Sequence, residues 1–264
     1  MRIGLDIMGG DNAPGANLLG AYLASKKLDN NEKVVLVGDT ELANHWFSSN
    51  NIDSSLFDFI HASEVIHMNE HATKALRKKP NNSISVGFKA LKNKEIDVFS
   101  SSGNSGAMLV GSMFSIGPVK GVIRPGITSV LPKENGGVGL ILDVGVNADC
   151  KPDVLFQFAI LGSLFAENVY NIKNPKVGLL NIGEEKGKGN LLTQATYQLL
   201  EDNDDINFIG NVEGRDLFND KADVVVCDGF TGNVVLKLAE SFYSIISKKN
   251  LSDSYFNRFN YEIY

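Results

Sequence analysis

Six short clusters that combine glycine with Asn, Asp, Ser or Glu punctuate the chain, each at the end of an apolar run of strand length. They are Asp6-Ile7-Met8-Gly9-Gly10-Asp11, Ser102-Gly103-Asn104-Ser105-Gly106, Asp143-Val144-Gly145-Val146-Asn147, Asn181-Ile182-Gly183-Glu184-Glu185, Gly210-Asn211-Val212-Glu213-Gly214-Arg215 and Asp228-Gly229-Phe230-Thr231-Gly232-Asn233. Glycine lets backbone approach a ligand closely and adopt positive φ, while Asn, Ser and Asp cap a following helix and aim its free N–H groups at an anion. Phosphate fits that chemistry. Any one cluster is as readily a tight turn with a capping residue. Their weight comes from recurrence after strands, where an open α/β sheet places its ligand crevice.

Other chemistries find less support. No Gly-x-x-x-x-Gly-Lys-Ser/Thr loop and no helix-opening Gly-x-Gly-x-x-Gly occurs, so ATP and NAD are weak candidates and no cofactor is expected. The four histidines, His45, His61, His67 and His71, lie in one third of the chain without an assured acidic third ligand, so no metal site is expected. No Gly-x-Ser-x-Gly elbow is present, and Ser105 reads as a helix cap rather than a nucleophile. Cys150 and Cys227 are not in a Cys-x-x-Cys pair and read as buried reduced thiols. With 31 acidic and 25 basic side chains the formal charge is −6, which leaves no overall electrostatic footprint for nucleic acid. The first apolar run is broken by Asp6, and no stretch approaches the 18 or so apolar residues of a membrane span, so the expected location is cytoplasmic.

The elements that must carry these clusters follow from hydrophobic spacing. Short β-branched runs at 2–7, 33–38, 56–60, 96–100, 138–144, 176–182, 206–209 and 222–228 read as strands. Between them, apolar residues three and four apart predict helices near 15–26, 39–50, 69–79, 82–93, 104–115, 151–168, 188–201 and 232–249. Alternation of this kind predicts a doubly wound, mostly parallel α/β sheet with helices on both faces, read as one catalytic domain over 1–264 with a C-terminal helical region at about 236–264. The alternation lapses only at 117–137, rich in Gly and Pro, which reads as a loop, a lid or a domain crossover.

With the clusters in hand, the chain resembles the phosphate acyltransferase (PlsX) family of bacterial phospholipid synthesis from residue 1 to about residue 240. The resemblance is carried by the clusters, by the residues that extend them (Asn12-Ala13-Pro14 and Asn207-Phe208-Ile209 among them), and by Ala75-Leu76-Arg77-Lys78-Lys79 and Lys188-Gly189-Asn190. It implies transfer of a long acyl chain from acyl carrier protein to inorganic phosphate, giving acyl phosphate, on a fold similar to that of isocitrate and isopropylmalate dehydrogenases. It also implies a homodimer that touches the membrane peripherally through a C-terminal helical region. The family pattern continues past Tyr264 through a further glycine corner and a His-Gly strand, and the segments 23–33 and 118–137 are short for the family.

Phosphate is already an anion near neutral pH, so it needs positioning beside a thioester carbonyl more than a general base. Helix-start amides near 103–106 and 232–233 are the expected cradle, with Lys188 as the cation and Asn233 as a donor to the developing oxyanion. The resemblance implies catalytic roles for Lys188 and Asn233. Gly9, Gly10, Asp11, Gly103, Asn104, Ser105, Gly106, Asn147, Asn181, Asn211, Arg215, Asp228 and Gly232 complete the expected phosphate and substrate set. For Asp228 a structural cap and for Arg215 a salt bridge are equal readings. Acyl carrier protein would dock on Arg77-Lys78-Lys79 or on Lys248-Lys249 with Arg258. Competing readings are a decarboxylating dehydrogenase or short-chain phosphate acyltransferase on a related fold, and a non-catalytic scaffold.

Overall fold

The run Lys-Val-Val-Leu-Val-Gly at 33–38 cannot hide its apolar side chains on one face alone, and in the computed structural model, which describes residues 1–248, both of its faces are covered. The chain forms two compact units, Met1–Val119 and the remainder from Lys120. In the first, the elements run β1 (Arg2–Asp6), α1 (Gly15–Ser25), β2 (Lys33–Gly38), α2 (Thr40–Ser49), β3 (Asp58–His61), α3 (Ala72–Lys78), α4 (Ser83–Lys92), β4 (Val98–Ser100) and α5 (Ser105–Ser115). Its four strands are all parallel, in the order β3-β2-β1-β4. Val34 and Leu36 of β2 pack with Ile7, Leu18 and Phe47, whose ring stacks on Phe57 at 4.9 Å between centroids. The intervening Val35 packs on the other face with Ala90 and Ile96. Period-two alternation thus feeds two cores, with α1 and α2 on one side and α4 on the other, α5 packing in turn on α3 and α4.

The second unit contains β5 (Thr128–Pro132), β6 (Val138–Leu142), α6 (Pro152–Val169), β7 (Val177–Leu180), α7 (Leu191–Glu201), β8 (Phe208–Val212), β9 (Val224–Val226) and α8 (Gly229–Lys248). Strand order is β5-β6-β9-β7-β8, parallel except for β5. One face carries Leu140, Leu142, Val224 and Val226 against Phe158 of α6 and Leu200 of α7. The opposite face carries Ile141 and Val225 with Leu236 of α8. Helices therefore cover both faces of a mostly parallel sheet, as the spacing predicts.

Several stretches differ from the sequence reading, two of them in the first unit and at its boundary. The Gly/Pro-rich segment 117–137 contains the boundary of the two units and also the edge strand β5, which pairs antiparallel with β6. Its signal is Asn135-Gly136, a hairpin dipeptide, with Gly136 at φ +81° and Lys133 N–H donating to the Gly137 carbonyl at 3.0 Å. The helix expected at 69–79 begins only at Ala72, because residues 67–70 form a turn in which the Glu70 carboxylate accepts from the His67 N–H at 2.8 Å.

Phe158 is wholly buried beneath the second sheet. Truncation to Ala removes its ring and leaves a cavity, so Phe158→Ala is expected to cost about 3–5 kcal/mol in urea unfolding. A loss below about 1 kcal/mol would mean the core over β9 is not packed as described.

Candidate functional site

In the first unit, two clusters meet at the carboxyl ends of β1 and β4. Asp6, 1% exposed, accepts from the Met8 N–H at 2.9 Å and from the Ser101 hydroxyl at 2.6 Å, and that hydroxyl in turn accepts from Gly103 N–H at 3.0 Å. The two turns are so close that a Cβ on Gly9 would lie 2.7 Å from the Gly103 nitrogen. Gly9 and Gly103 are thus explained by backbone meeting backbone. Asn104 caps α5 by accepting from Ala107 N–H at 3.0 Å and donates to the carbonyls of His67, Met68 and Glu70. The amides of Ser105 and Gly106, in the exposed first turn, have no partner within the helix. Gly10, at φ +99°, and exposed Asp11 line a cavity of 310 Å³ with Met8, Ile66, His67 and Met68.

In the second unit, four clusters gather at the carboxyl ends of β6, β7, β8 and β9. A cleft of 430 Å³ opens there, lined among others by Asn181, Asn190, Thr193, Cys227, Asp228 and Thr231. Two helices present their first turns to it. Asn190 caps α7 by accepting from Thr193 N–H at 2.9 Å, which leaves the Leu191 and Leu192 amides without intrahelical partners. Asp228 caps α8 by accepting from the Thr231 N–H at 2.9 Å and its hydroxyl at 2.8 Å, the structural role weighed for it from sequence. Because α8 begins at Gly229, earlier than the spacing predicts, Gly232 N–H already donates to the Asp228 carbonyl at 3.0 Å. Gly232 serves packing instead of phosphate binding, since a Cβ there would sit 2.0 Å from the Asp143 carbonyl oxygen and the helix can approach that corner only without a side chain.

Lys188 precedes the cleft-lining Gly189 and is exposed, and among the described residues its ammonium makes no ion pair. Most of its neighbours are committed. Lys186 pairs with Glu201, and Lys221 pairs with Glu184 at 2.7 Å, holding that carboxyl below the usual carboxylate range. Arg215 pairs with Glu213 at 2.8 Å and with Glu184 at 3.5 Å, the salt-bridge alternative. Asn233 is exposed and lies against Gly145, its Oδ1 3.2 Å from where a Cβ on that glycine would be. No hydrogen bond within the described residues engages its carboxamide. Asn147 is buried and donates to the Pro125 carbonyl and to Asp143, so its amide is spent on the fold. Asn181 and Asn211 bond to each other at 3.1 Å.

Sequence reasoning did not give Asn190 or Thr193 a place in the site, although Asn just ahead of an apolar-periodic run is an N-cap signal. It also passed over Asp143, Thr231 and Gly189 as site-builders. Neither thiol is primed for nucleophilic work. Burial, with the nearby charges of Asp143 and Asp228, pushes Cys150 up to about 11, and burial drives Cys227 higher still. Among the described residues no cluster of His, Cys, Asp and Glu can hold a metal ion.

A mostly parallel α/β architecture with helices on both faces of the sheet is the fold of solved phosphotransacylases. The fold is shared with a phosphotransacetylase from Streptococcus pyogenes (TM-score 0.69, 15% identity, 92% of this chain and 82% of that one) and with EutD phosphotransacetylase from Staphylococcus aureus (TM-score 0.64, 15% identity, the same coverages). The model of a family described as "Fatty acid synthesis protein" matches residues 1–254. Phosphate acyltransferase from Dictyoglomus turgidum is 46% identical over 240 residues, 91% of this chain and 71% of that protein. Phosphate acyltransferase from Syntrophomonas wolfei is 42% identical over 268 residues, 99% of this chain and 83% of that protein. The chain belongs to the phosphate acyltransferase family and is an acyltransferase.

Two expectations test this geometry. Gly189 sits at φ +92°, and a Cβ there would lie 2.1 Å from the Thr193 hydroxyl and 2.4 Å from Asn181 Oδ1, so Gly189→Ala is expected to lower stability by about 1–3 kcal/mol, read by thermal unfolding. With a thiol at about 11, roughly one Cys150 in a thousand is thiolate at pH 8, so iodoacetamide should label the folded protein slowly and about tenfold faster per pH unit up to that value. Cys150 is half-buried rather than buried as the sequence suggests, and rapid stoichiometric labelling at pH 7 would contradict its desolvated placement.

Proposed function

We propose that this chain transfers a long-chain fatty acyl group from the thioester of acyl carrier protein to inorganic phosphate, giving acyl phosphate for phospholipid synthesis. The observation that carries the reading is the unpaired Lys188 on the rim of a cleft into which two helices present their first turns. An anion there meets the free first amides of α7, the positive ends of two helix dipoles and a cation that makes no ion pair among the described residues, beside an Asp228 carboxylate already engaged in capping α8. A phosphate oxygen attacks the thioester carbonyl, forming the new C–O bond. Charge builds on the carbonyl oxygen, Asn233 donates to it, and collapse breaks the C–S bond and releases the carrier as its thiolate, which takes a proton from water. Lys188 holds the phosphate or the developing oxyanion. Acyl transfer to phosphate needs no covalent enzyme intermediate, which agrees with two thiols held protonated.

In the first unit this reading keeps Gly9, Gly10, Asp11 and the exposed α5 start at Ser105 and Gly106 in the substrate-binding set, with Gly10 and Asp11 lining the 310 Å³ cavity and Gly9 holding the turn beside them. The carrier is acidic and finds a complementary face on α3, where Lys74, Arg77 and Lys78 are exposed three and four apart and have no acidic partner among the described residues, while Lys79 pairs with Glu70 at 2.6 Å. The other basic cluster, Lys248-Lys249 with Arg258, falls at and beyond the end of the described residues. A homodimer is supported by α8, whose exposed Val234, Leu238, Phe242 and Ile245 form one apolar stripe. Peripheral membrane contact would use the region that follows. No helix among the described residues is long and apolar enough to cross a membrane.

The test is mass-spectrometric detection of acyl phosphate from palmitoyl-acyl carrier protein and phosphate. Product should vanish without phosphate and fall at least about a hundredfold in Lys188→Ala and in Asn233→Ala. A folded protein that forms no acyl phosphate would sink the reading; active variants would move the chemistry to other residues. Arg77→Glu with Lys78→Glu should raise KM for the acyl carrier substrate about tenfold at low salt and much less at roughly 0.5 M salt, since the attraction is screened. An unchanged KM would place the carrier elsewhere.

A further inference from the structure

Lys188 lies on the loop from Asn181 to Asn190 that joins β7 to α7, and a free lysine on a loop this exposed needs something to hold its backbone in place. Two asparagines at the adjacent strand ends do so. Asn181 donates from Nδ2 to the Lys188 carbonyl at 3.1 Å and accepts the Ile182 N–H at 2.9 Å on Oδ1. Asn211, only 3% exposed, donates from Nδ2 to the Glu185 carbonyl at 3.0 Å. The two are joined by the Asn181 Nδ2 to Asn211 Oδ1 bond at 3.1 Å, so one hydrogen-bonded pair grips the loop at two carbonyls. Inside the loop, Lys188 N–H donates back to that same Glu185 carbonyl at 3.0 Å.

The position of Asn211 is itself built. β8 advances from Phe208 to Asn211 while β7 advances from Val177 to Leu179, an irregularity centred on Gly210 at φ +93°. A regular ladder would put Gly210 beside Leu179. The extra residue puts Asn211 there instead, at the loop it grips. The Lys188 stem also crosses buried Gly183, where a Cβ would meet its Cγ at 3.0 Å.

We propose that Asn181 and Asn211 are positioning residues that hold the Lys188 loop in its working geometry, rather than direct ligands of phosphate. Both carboxamide nitrogens are occupied by loop carbonyls, and the Asn181 oxygen is occupied by a loop amide. The inference rests on the assignment of Lys188 to the reacting phosphate or oxyanion, and its test keeps the two apart. A displacement of the order of 1 Å at a catalytic group costs up to about a hundredfold in rate.

The experiment is a double-mutant cycle on kcat in the acyl phosphate assay, using Asn211→Ala, Asn181→Ala, Lys188→Ala and each asparagine variant combined with Lys188→Ala. Each asparagine change alone should lower kcat about ten- to a hundredfold, yet lower it less than about twofold once Lys188 is Ala, because the asparagines act through that lysine. Hydrogen exchange should quicken in the peptide covering 182–189 and stay unchanged in peptides from β6 and β9, a pattern general destabilisation does not produce. Losses that multiply in the double variants overturn the proposal, as does an asparagine variant with unchanged kcat. If Asn211→Ala does not fold, the half-buried Asn181 carries the same cycle. A fully active Lys188→Ala removes the catalytic reading of Lys188 and overturns the kinetic claim with it; multiplying losses beside an inactive Lys188→Ala overturn the positioning claim alone.

Discussion

The Asp143 carboxylate is the constraint on which the second unit turns. It is fully buried at the end of β6 and pairs with no cation among the described residues; instead it accepts the Ile127 N–H at 2.8 Å, the Asn147 N–H at 2.6 Å and the Asn147 side-chain amide at 2.8 Å. A buried carboxyl group is tolerable only when hydrogen-bond partners replace water, and three donors do so here. The bonds lock the corner after β6, and that corner receives α8: Asn147 accepts the Gly229 N–H at 2.8 Å, and Gly232 packs on the Asp143 carbonyl. Asp6 has the same office in the first unit, where its carboxylate ties the turns after β1 and β4 together through Met8 and Ser101. Each sheet therefore presents a rigid set of strand ends, held from below by a buried acid.

Rigidity at the strand ends explains how polar residues divide between structure and chemistry. Asn104, Asn147, Asn190 and Asp228 all look like ligand-binding groups by type, yet each spends its side chain on a cap or a corner. The groups left over are few: the Lys188 ammonium, the Asn233 carboxamide and the first amides of α5 and α7. That division is physically sensible, because unspent donors are useful only when their surroundings cannot relax to satisfy them. Basic residues follow the same rule, with Lys221, Lys186 and Arg215 held by glutamates while Lys188 stays unpaired among the described residues.

Much of the fold is legible from hydrophobic spacing. Eight of the nine strands described lie at or near predicted runs because a parallel sheet covered on both faces demands unbroken apolar segments, which few other structures need. The edge strand β5 is not legible that way: an edge strand is half exposed, so its Thr128 and Ser129 break the run, and only the Asn135-Gly136 hairpin points to it. The location of the site at strand ends is legible from glycine and Asn/Asp clustering. Which members of each cluster are spent is not, since a capping Asn and a ligand-binding Asn have the same spacing.

By itself the sequence determined the class of structure and the family: apolar periods of two and of three to four allow little besides a covered parallel sheet, and the ordered glycine corners with Lys188-Gly189-Asn190 mark phosphate acyltransferases. Tertiary structure alone decided the partners. Whether Lys188 or Lys221 carries a free charge depends on which glutamate the fold brings near, and whether Asn211 faces the cleft or the loop depends on one extra residue in β8 at Gly210. Such choices turn on distances of a few ångströms between residues dozens apart in the chain, and a linear pattern does not encode those distances.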